Sequence, residues 1–266
     1  MTKHGQKHHL KRIATPRLYP LPKKEGGKFA IKPSPGPHPA DRCIPLGVII
    51  RDLLGYARTL REAKRILNMR KIKVDGRIIT DYRFPVGMMD VLEIPETEEF
   101  YRILPFRRKL VLHEITKEEA KYKLVKIINK RYIKGGNIQL NLFDGRNIQF
   151  DVSNEDERKE ILQKYKVGDS IMITLPEQKI TGHYRLVEGN YAIIVAGRHM
   201  GEHGILKSIH KMFGPMASVA EIENVKGEKV LTALDYVFII GDEKPVITLP
   251  TDTEVEKIAK RKPIRI

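Results

Sequence analysis

The sequence predicts an α+β protein of several small domains in which strands outnumber helices. Apolar residues recur at helical spacing in a short region near residues 48–67, whereas much of the remaining chain alternates apolar and polar residues. Asp-Gly pairs at residues 75–76 and 144–145 each stand between alternating arms, which is the strongest short signal for a β-hairpin. The 266 residues allow two to four small domains, and 41% hydrophobic residues suffice to fold them.

Residues 44–94 predict two short helices followed by a hairpin. The first helix covers residues 48–54. Thr59 stands three residues before Glu62, which predicts a capping box at the start of the second helix. The apolar face of that helix comprises Leu60, Ala63, Ile66 and Leu67. The hairpin follows in KIKVDGRII, and DVLEI supplies a further apolar strand.

The same stretch is rich in Lys and Arg. The whole chain has a formal charge of +16 and a pI near 9.8. Such an excess indicates a polyanionic partner, namely RNA, DNA or an anionic membrane face. Arg and Lys side chains pair with phosphate, and the Arg fork does so bidentately. The candidate phosphate ligands here are Arg51, Arg58, Arg61, Lys64, Arg65, Arg70, Lys71, Lys73 and Arg77.

Residues 1–42 form a basic, proline-rich lead with ten Lys and Arg against two acidic residues. Its prolines block long helices, so we expect it to bury little alone and to become ordered on RNA. A flexible solubilising tail is the alternative. The candidate RNA-binding residues in this segment are Lys7, His9, Lys11, Arg12, Arg17 and Arg42.

Residues 96–172 predict a β-rich domain with one ambiguous segment. Thr116 and Glu119 form a second potential capping box, and glycines at 135–136 supply a helix stop, but the local pattern does not decide between helix and strand for the residues between them. The lysines of this segment are either a solvated face or a second RNA surface. Residues 137–151 predict a hairpin, and the acidic run NEDERKEI predicts a solvent-facing connection.

Residues 182–241 alternate as strands and contain the run GRHMGEHGILKSI. We expect Gly197, Gly201 and Gly204 to lie in a loop before a strand, where glycine permits positive φ and the close approach of a partner. The polar candidates of this loop are Arg198, His199 and His203, of which Arg198 is the candidate RNA ligand, and a tight turn without any ligand is the alternative. In the tail, Thr253 and Glu256 would cap one short helix before the basic end KRKPIRI.

Several motifs resemble those of known families. TLREAKRIL, the following hairpin and DVLEI resemble the S4-type RNA-binding module, and GRHMGEHGILKSI resembles a KOW motif in a small SH3-like barrel. The opening GQKHHLKRIATPRLYP and the segment PSPGPH are similar to the start of the S4e family of small-subunit ribosomal proteins, of archaeal type. Tyr19 stands where that family often has Trp, so a packing or stacking role is implied. The family also implies strand character in part of residues 107–134.

The resemblance implies a domain order, which we expect as follows: an N-terminal extension at 1–42, an RNA-binding module at 43–95, a central β-rich domain at 96–172, an SH3-like KOW barrel at 173–242 and a tail at 243–266. It implies a non-enzymatic structural component of the small ribosomal subunit, located in the cytoplasm. The expected partners are ribosomal RNA and neighbouring ribosomal proteins, without a membrane and without independent homo-oligomerisation. A free RNA chaperone or regulator and an RNA-modifying enzyme are the alternatives.

The residues themselves argue against other chemistry. There is no P-loop, GxSxG or HExxH motif, and no acidic residues are arranged as an acid and base pair. The single cysteine, Cys43, excludes an intramolecular disulfide and a multi-cysteine zinc site. We therefore expect no cofactor and no metal, and a reducing compartment. There is no apolar run of 18 residues and no apolar core of a signal peptide.

Overall fold

The computed structural model describes residues 9–24, 27–152, 154–212 and 217–251, which form two compact units. The first unit contains the described residues up to 103, residues 109–114 and Thr251, and the second contains residues 104–108 and the described residues from 115 to 250. The described chain is rich in strands and has few helices, as the sequence predicts. None of its described helices is long and apolar enough to cross a membrane.

The first unit contains three sets of paired strands and two helical segments. β1 (Leu10–Lys11) pairs with β2 (Phe29–Ala30), and β3 (Cys43–Pro45) pairs with β6 (Pro85–Gly87), both antiparallel. The third set has the order β5-β4-β7-β8-β9, formed by β4 (Lys73–Val74), β5 (Arg77–Ile78), β7 (Val91–Ile94), β8 (Glu99–Phe106) and β9 (Lys109–Glu114). Residues 104–106 of β8 belong to the second unit. The helices are α1 (Leu46–Val48), which continues into a wide π turn (Ile49–Leu53), and α2 (Leu60–Asn68).

The capping box at the start of α2 is confirmed. Thr59 Oγ1 accepts a hydrogen bond from the backbone N–H of Glu62 at 3.2 Å, and Glu62 Oε2 accepts one from the backbone N–H of Arg58 at 2.8 Å. The latter bond is the main reason why the pKa of Glu62 lies below its usual value. The first predicted helix is instead short and widened, because the N–H of Leu54 bonds the carbonyl of Ile49 five residues back.

The hairpin at Asp75-Gly76 is also confirmed. Both residues have positive φ, 49° and 74°, which is the backbone that a two-residue primed turn requires. The Asp75 carboxylate is buried and accepts a hydrogen bond from the N–H of Val91 at 2.8 Å, so it also ties the turn to β7. The aspartate thereby serves both the turn and the next strand.

The lead is packed more closely than the sequence predicts. Tyr19, Leu21 and Ile31 are buried, and His38 Nε2 lies 3.0 Å from Asp90 Oδ1 in a buried pair. A Cβ built at Gly87 would lie 2.2 Å from the His38 ring, so a residue without a Cβ is needed here to leave room for the His38 side chain. The expectation that the lead buries little is therefore wrong for the described part, because its apolar side chains and His38 pack within the first unit.

The second unit contains two five-stranded antiparallel sheets. The first has the order β12-β11-β10-β13-β14, formed by β10 (Tyr122–Tyr132), β11 (Ile138–Leu142), β12 (Asn147–Phe150), β13 (Ser170–Thr174) and β14 (Ile180–Tyr184). The second has the order β18-β17-β16-β15-β19, formed by β15 (Tyr191–Ile194), β16 (His203–His210), β17 (Val219–Asn224), β18 (Lys229–Ala233) and β19 (Val237–Gly241). The one helix described in this unit that is longer than a single turn is α3 (Glu155–Lys164).

The segment after Thr116 is mainly a strand, which decides the choice between helix and strand that its local signals left open. Thr116 Oγ1 accepts the N–H of Glu119 at 3.3 Å, but only one 3₁₀ turn (Glu119–Lys121) follows before β10 begins. β10 pairs with β11 on one side and β13 on the other, so its backbone bonds are made across the sheet. These bonds and the burial of its apolar residues outweigh a cap that is satisfied by a single turn.

The hairpin of β11 and β12 is confirmed, and the acidic run that follows it forms α3 with no buried side chain. Lys130 Nζ donates to the carbonyls of Leu162 and Tyr165, each at 2.8 Å. A cation at this end satisfies carbonyls that the helix leaves unpaired and complements its dipole. A strand lysine therefore holds the acidic helix against the sheet, with its carboxylates facing solvent.

Lys126 joins the two sheets of the second unit. Its Nζ donates to the carbonyl of Val237 at 2.7 Å and to that of Asp235 at 3.0 Å. Burial lowers the pKa of Lys126 to about 8, because a desolvated ammonium group is disfavoured. Part of the lysine-rich segment thus serves structural contacts.

Gly204 lies in β16, which corrects the prediction that it belongs to the preceding loop. A Cβ built at this residue would lie 1.8 Å from the carbonyl oxygen of Glu223 in β17. The glycine is needed because the backbones of these two paired strands approach closely.

Replacing Gly204 with alanine is expected to destabilise the second unit by about 2 kcal/mol, because the added methyl group forces the paired strands apart. The midpoint of its thermal transition in calorimetry should fall by about 4–8 °C. Gly27 is the control, since a Cβ there meets no atom within 4 Å and its φ is not positive. If G204A melts within about 1 °C of G27A, the close strand approach does not restrict this residue.

Candidate nucleic-acid interface

One face of α2 carries Arg61, Lys64 and Arg65, all exposed. At about 100° per residue, the three side chains fall within an arc of about 100°, opposite the buried Ala63 and Leu67. We call these three residues the α2 cationic face. The capping box fixes where the helix starts, and the two buried residues fix which face it turns outwards.

The α2 cationic face is not neutralised by neighbouring acids. Among the described residues, no carboxylate lies within ion-pair distance of any of the three. Arg61 and Arg65 also stand four residues apart on the helix, where like charges destabilise it by about 0.2–0.5 kcal/mol. A binding partner that supplies negative charge would remove this cost.

Tyr82 adds an aromatic ring to this face. Lys64 Nζ lies 4.4 Å from the centroid of the Tyr82 ring, and the Arg83 guanidinium carbon lies 6.0 Å from it. The sequence reasoning missed both Tyr82 and Arg83. The signal that could have found them is the pair of an aromatic and a basic residue directly after the hairpin.

Three other candidates of this module already have acidic neighbours. Arg51 Nη2 lies 2.7 Å from Asp52 Oδ2, and Lys71 Nζ lies 2.9 Å from Glu96 Oε1. Lys73 is directly opposite Glu93 across β4 and β7; burial raises the pKa of this glutamate, while the lysine acts in the opposite direction. These cations are thus less available to an external phosphate than the α2 cationic face.

The remaining candidates of the module lie at its edges. Arg58 is exposed just before the cap of α2, and Arg77 is exposed in β5. Arg70 is exposed after α2 with φ of 58°, the left-handed region that glycine would occupy without strain. The structure therefore places these three outside the helical face, at the two ends of α2 and on the hairpin.

In the lead, Phe29 is an exposed ring that the sequence reasoning missed. Its side chain is 52% exposed, the His9 ring lies 5.4 Å away between centroids, and Lys28 Nζ lies 5.8 Å from its centroid. An exposed ring beside cations is a surface on which unpaired bases stack. The signal was the Lys-Phe pair at 28–29 within a basic segment.

The other lead candidates differ in their surroundings. Arg12 Nε donates to the carbonyl of Gly27 at 3.1 Å and its Nη1 to that of Pro22 at 3.2 Å, so this residue holds the lead together. Lys11, Arg17 and Arg42 are exposed. Lys7 lies outside the described residues, as does the predicted cap at Thr253 and Glu256.

Arg198 belongs to the second unit and is exposed in the turn between β15 and β16. Its carbonyl accepts a hydrogen bond from Arg108 Nε at 2.9 Å. In the same turn, His199 Nδ1 lies 2.9 Å from Glu202 Oε1, and His203 Nδ1 lies 2.8 Å from the Tyr191 hydroxyl. Both histidines thus have partners within the unit.

The described residues contain no group of three or more His, Cys, Asp or Glu side chains that could hold a metal ion. Cys43 is fully buried, and its burial raises the pKa of the thiol. Burial likewise raises the pKa of Tyr19, whose ring is buried, which indicates packing rather than base stacking.

Comparison with known proteins agrees with this geometry. Three family models match the chain: the RS4NT (NUC023) domain at residues 4–41, the S4 domain at residues 49–92 and the ribosomal family S4e at residues 97–180. The α2 cationic face lies within the S4 match.

Curated relatives extend the likeness over nearly the whole chain. It is 48% identical over 251 residues to small ribosomal subunit protein eS4 of Staphylothermus marinus, covering 94% of this chain and 98% of the relative. It is 45% identical over 249 residues to the protein of the same name in Methanocaldococcus jannaschii, covering 94% and 100%. The crystal structure of the 30S ribosomal protein S4e from Thermoplasma acidophilum matches with a TM-score of 0.62 at 35% identity, over 76% of this chain and 96% of that one. The chain therefore belongs to the S4e family of ribosomal proteins.

Proposed function

We propose that this chain is a structural component of the small ribosomal subunit and that it binds ribosomal RNA through the α2 cationic face. The observation that carries the proposal is a helix face of three exposed cations without described acidic partners, inside the region that matches the S4 domain. The curated relatives are named as small ribosomal subunit proteins, which supports the small subunit as the particle in which this chain binds RNA. Binding would occur in the ribosome and hence in the cytoplasm.

Recognition by this surface would depend on charge and RNA shape. Contacts to phosphates position a protein on RNA but carry little sequence information. Specificity would come from the folded RNA and from several surfaces acting together, because linked weak sites gain strongly in avidity. The lead would provide one further surface, through Lys11, Arg17, Arg42 and the exposed ring of Phe29.

The domain order expected from the sequence forms part of the proposal: an extension at 1–42, an RNA-binding module at 43–95, a central β-rich domain at 96–172, a barrel at 173–242 and a tail at 243–266. The five-stranded sheet of β15 to β19 supports assigning the barrel as SH3-like, with a KOW motif at the turn before β16. Neighbouring ribosomal proteins would complete the contacts. The chain would act without a membrane and without forming its own homo-oligomer.

Two alternatives remain distinct from this proposal. The RNA-modifying enzyme is not supported, because the family is one of ribosomal structural proteins. A free RNA chaperone or regulator would use the same cations without a fixed place in the subunit. The copy number of the chain per purified small subunit separates that role from a structural one.

The salt dependence of binding tests the electrostatic account. The full chain should bind protein-free small-subunit ribosomal RNA with an affinity that falls as a power of the salt concentration, because each neutralised phosphate releases counterions. The α2 cationic face alone should contribute a log–log slope of about −2 to −3. Fluorescence anisotropy between about 0.05 and 0.3 M KCl measures this slope. A flat response would contradict RNA binding through charge.

A further inference from the structure

The hairpin turn between β8 and β9 contains residue types that are unusual for its backbone conformation. Its central residues, Arg107 and Arg108, have φ of 44° and 63°, so both lie in the left-handed region. Two-residue turns with this backbone favour Asn-Gly, because a side chain at positive φ is strained. Two adjacent like charges are a further cost. Backbone strain of this kind is concentrated at functional sites in proteins.

This turn is fixed against the turn between β15 and β16 within the second unit. The N–H of Arg108 donates to the carbonyl of Met200 at 3.2 Å, and its Nε donates to the carbonyl of Arg198 at 2.9 Å. A Cβ at Gly201, whose φ is 93°, would lie 2.7 Å from the Cα of Phe106. Only glycine lets the two turns approach this closely. We call residues 106–108 together with residues 198–201 the paired-turn site.

The paired-turn site exposes three guanidinium groups, those of Arg107, Arg108 and Arg198. The acidic residue that follows it, Glu202, is engaged by His199 Nδ1 at 2.9 Å and by Asn224 Nδ2 at 3.3 Å. The guanidinium of Arg107 also lies 5.4 Å from the centroid of the Phe106 ring, which limits its freedom. The site is therefore a cluster of three exposed arginines on two turns that hold each other in place.

We infer that the paired-turn site binds backbone phosphates of RNA, as a contact separate from the α2 cationic face. The inference rests on the proposed function and names a second binding surface for the same ligand. Arginine side chains suit forked, bidentate recognition of phosphate oxygens. Because the hydrogen bonds between the turns already order the backbone, binding would require little further ordering. The contact between the two turns also explains why glycine is needed at residue 201.

The variant R107N/R108G separates backbone strain from charge. Asn-Gly is the favoured sequence for this turn, and the backbone hydrogen bond from residue 108 to Met200 is retained, so the variant should fold although it loses the Arg108 Nε bond to Arg198. Its affinity for protein-free small-subunit ribosomal RNA in about 0.1 M KCl should decrease about 10-fold, and the magnitude of its log–log salt slope should fall by about 1–2. The control K159N/K166N removes two exposed cations on or just after α3, and its affinity should change less than 2-fold.

Arginine labelling identifies the partner. The full chain is treated with phenylglyoxal alone, with protein-free ribosomal RNA, and in assembled small subunits, and the label at each arginine is measured by mass spectrometry. At least about 5-fold protection of Arg107 and Arg198 by the RNA alone is expected. Protection only in assembled subunits would indicate an acidic protein partner and would overturn the inference. Equal affinity of R107N/R108G and the native chain would also overturn it.

RNA binding by the paired-turn site and RNA binding by the chain as a whole can be refuted separately. If the native chain binds the RNA with a steep salt dependence and R107N/R108G binds equally well, only the paired-turn site is refuted. If the native chain binds the RNA without salt dependence, the electrostatic account fails as a whole, and with it the inference.

Discussion

Reversing the charge of the α2 cationic face, in R61E/K64E/R65E, is expected to lower the affinity for small-subunit ribosomal RNA by roughly 100-fold or more. A hydrogen bond to a charged group contributes about 1.5–3 kcal/mol, and charge reversal adds repulsion between the helix and the phosphates. The three side chains are exposed, so the fold should persist. RNA binding at about 0.1 M KCl and the far-ultraviolet circular dichroism spectrum measure the two effects.

Two controls make this result specific. The neutral variant R61Q/K64Q/R65Q retains good helix formers and should lose less affinity than the reversed variant. The variant K159E/K166E/K226E changes the net charge by the same amount at exposed positions of the second unit and should bind within about 3-fold of the native chain. An affinity of R61E/K64E/R65E within 2-fold of the native value would show that the α2 cationic face is not an RNA surface.

Replacing Asp144 with asparagine is expected to destabilise the sheet of β10 and β11 by about 3–5 kcal/mol. Lys123 Nζ lies 3.0 Å from Asp144 Oδ2, and both side chains are 1% exposed. Removing one member of a buried ion pair leaves the other charge desolvated and uncompensated. Arg146 Nε, 3.1 Å from the same oxygen, also loses its partner. Native-state hydrogen exchange of the β10 and β11 amides measures the change.

The double variant K123M/D144N should recover most of this loss, because no fully buried charge is left without a partner. D151N is a matched control in the same hairpin, where Asp151 is exposed and accepts hydrogen bonds from Asn137 and Gln149. Its effect should stay below about 1 kcal/mol. A cost of less than about 1 kcal/mol for D144N would contradict a structural role of the buried pair.

Features decided by neighbouring residues were predictable from the sequence. The capping box of Thr59 and Glu62 and the turn at Asp75-Gly76 depend on residues at most three positions apart, and both are confirmed. The α2 cationic face could be predicted for the same reason, since helical spacing alone separates Arg61 and Arg65 from Ala63. Its role in RNA binding is a prediction that the experiments above test.

Features decided by distant residues were not predictable in the same way. The segment after Thr116 has a real local cap, but pairing with two strands determines that β10 is extended. The role of Lys123 depends on Asp144, which is 21 positions away, and no residue near Lys123 in the sequence indicates that these two form an ion pair. Gly204 and Gly201 are needed because other backbone segments approach them, which spacing along the chain does not reveal.

The central claim is that this chain is a fixed component of the small ribosomal subunit. Sedimentation of native lysate through a sucrose gradient in about 0.5 M salt, with quantification of this chain, tests it most directly, because that salt screens exposed charges to a few Å. We expect one copy per small subunit in the subunit fractions. Recovery of the chain as free protein or with transfer RNA would contradict the claim.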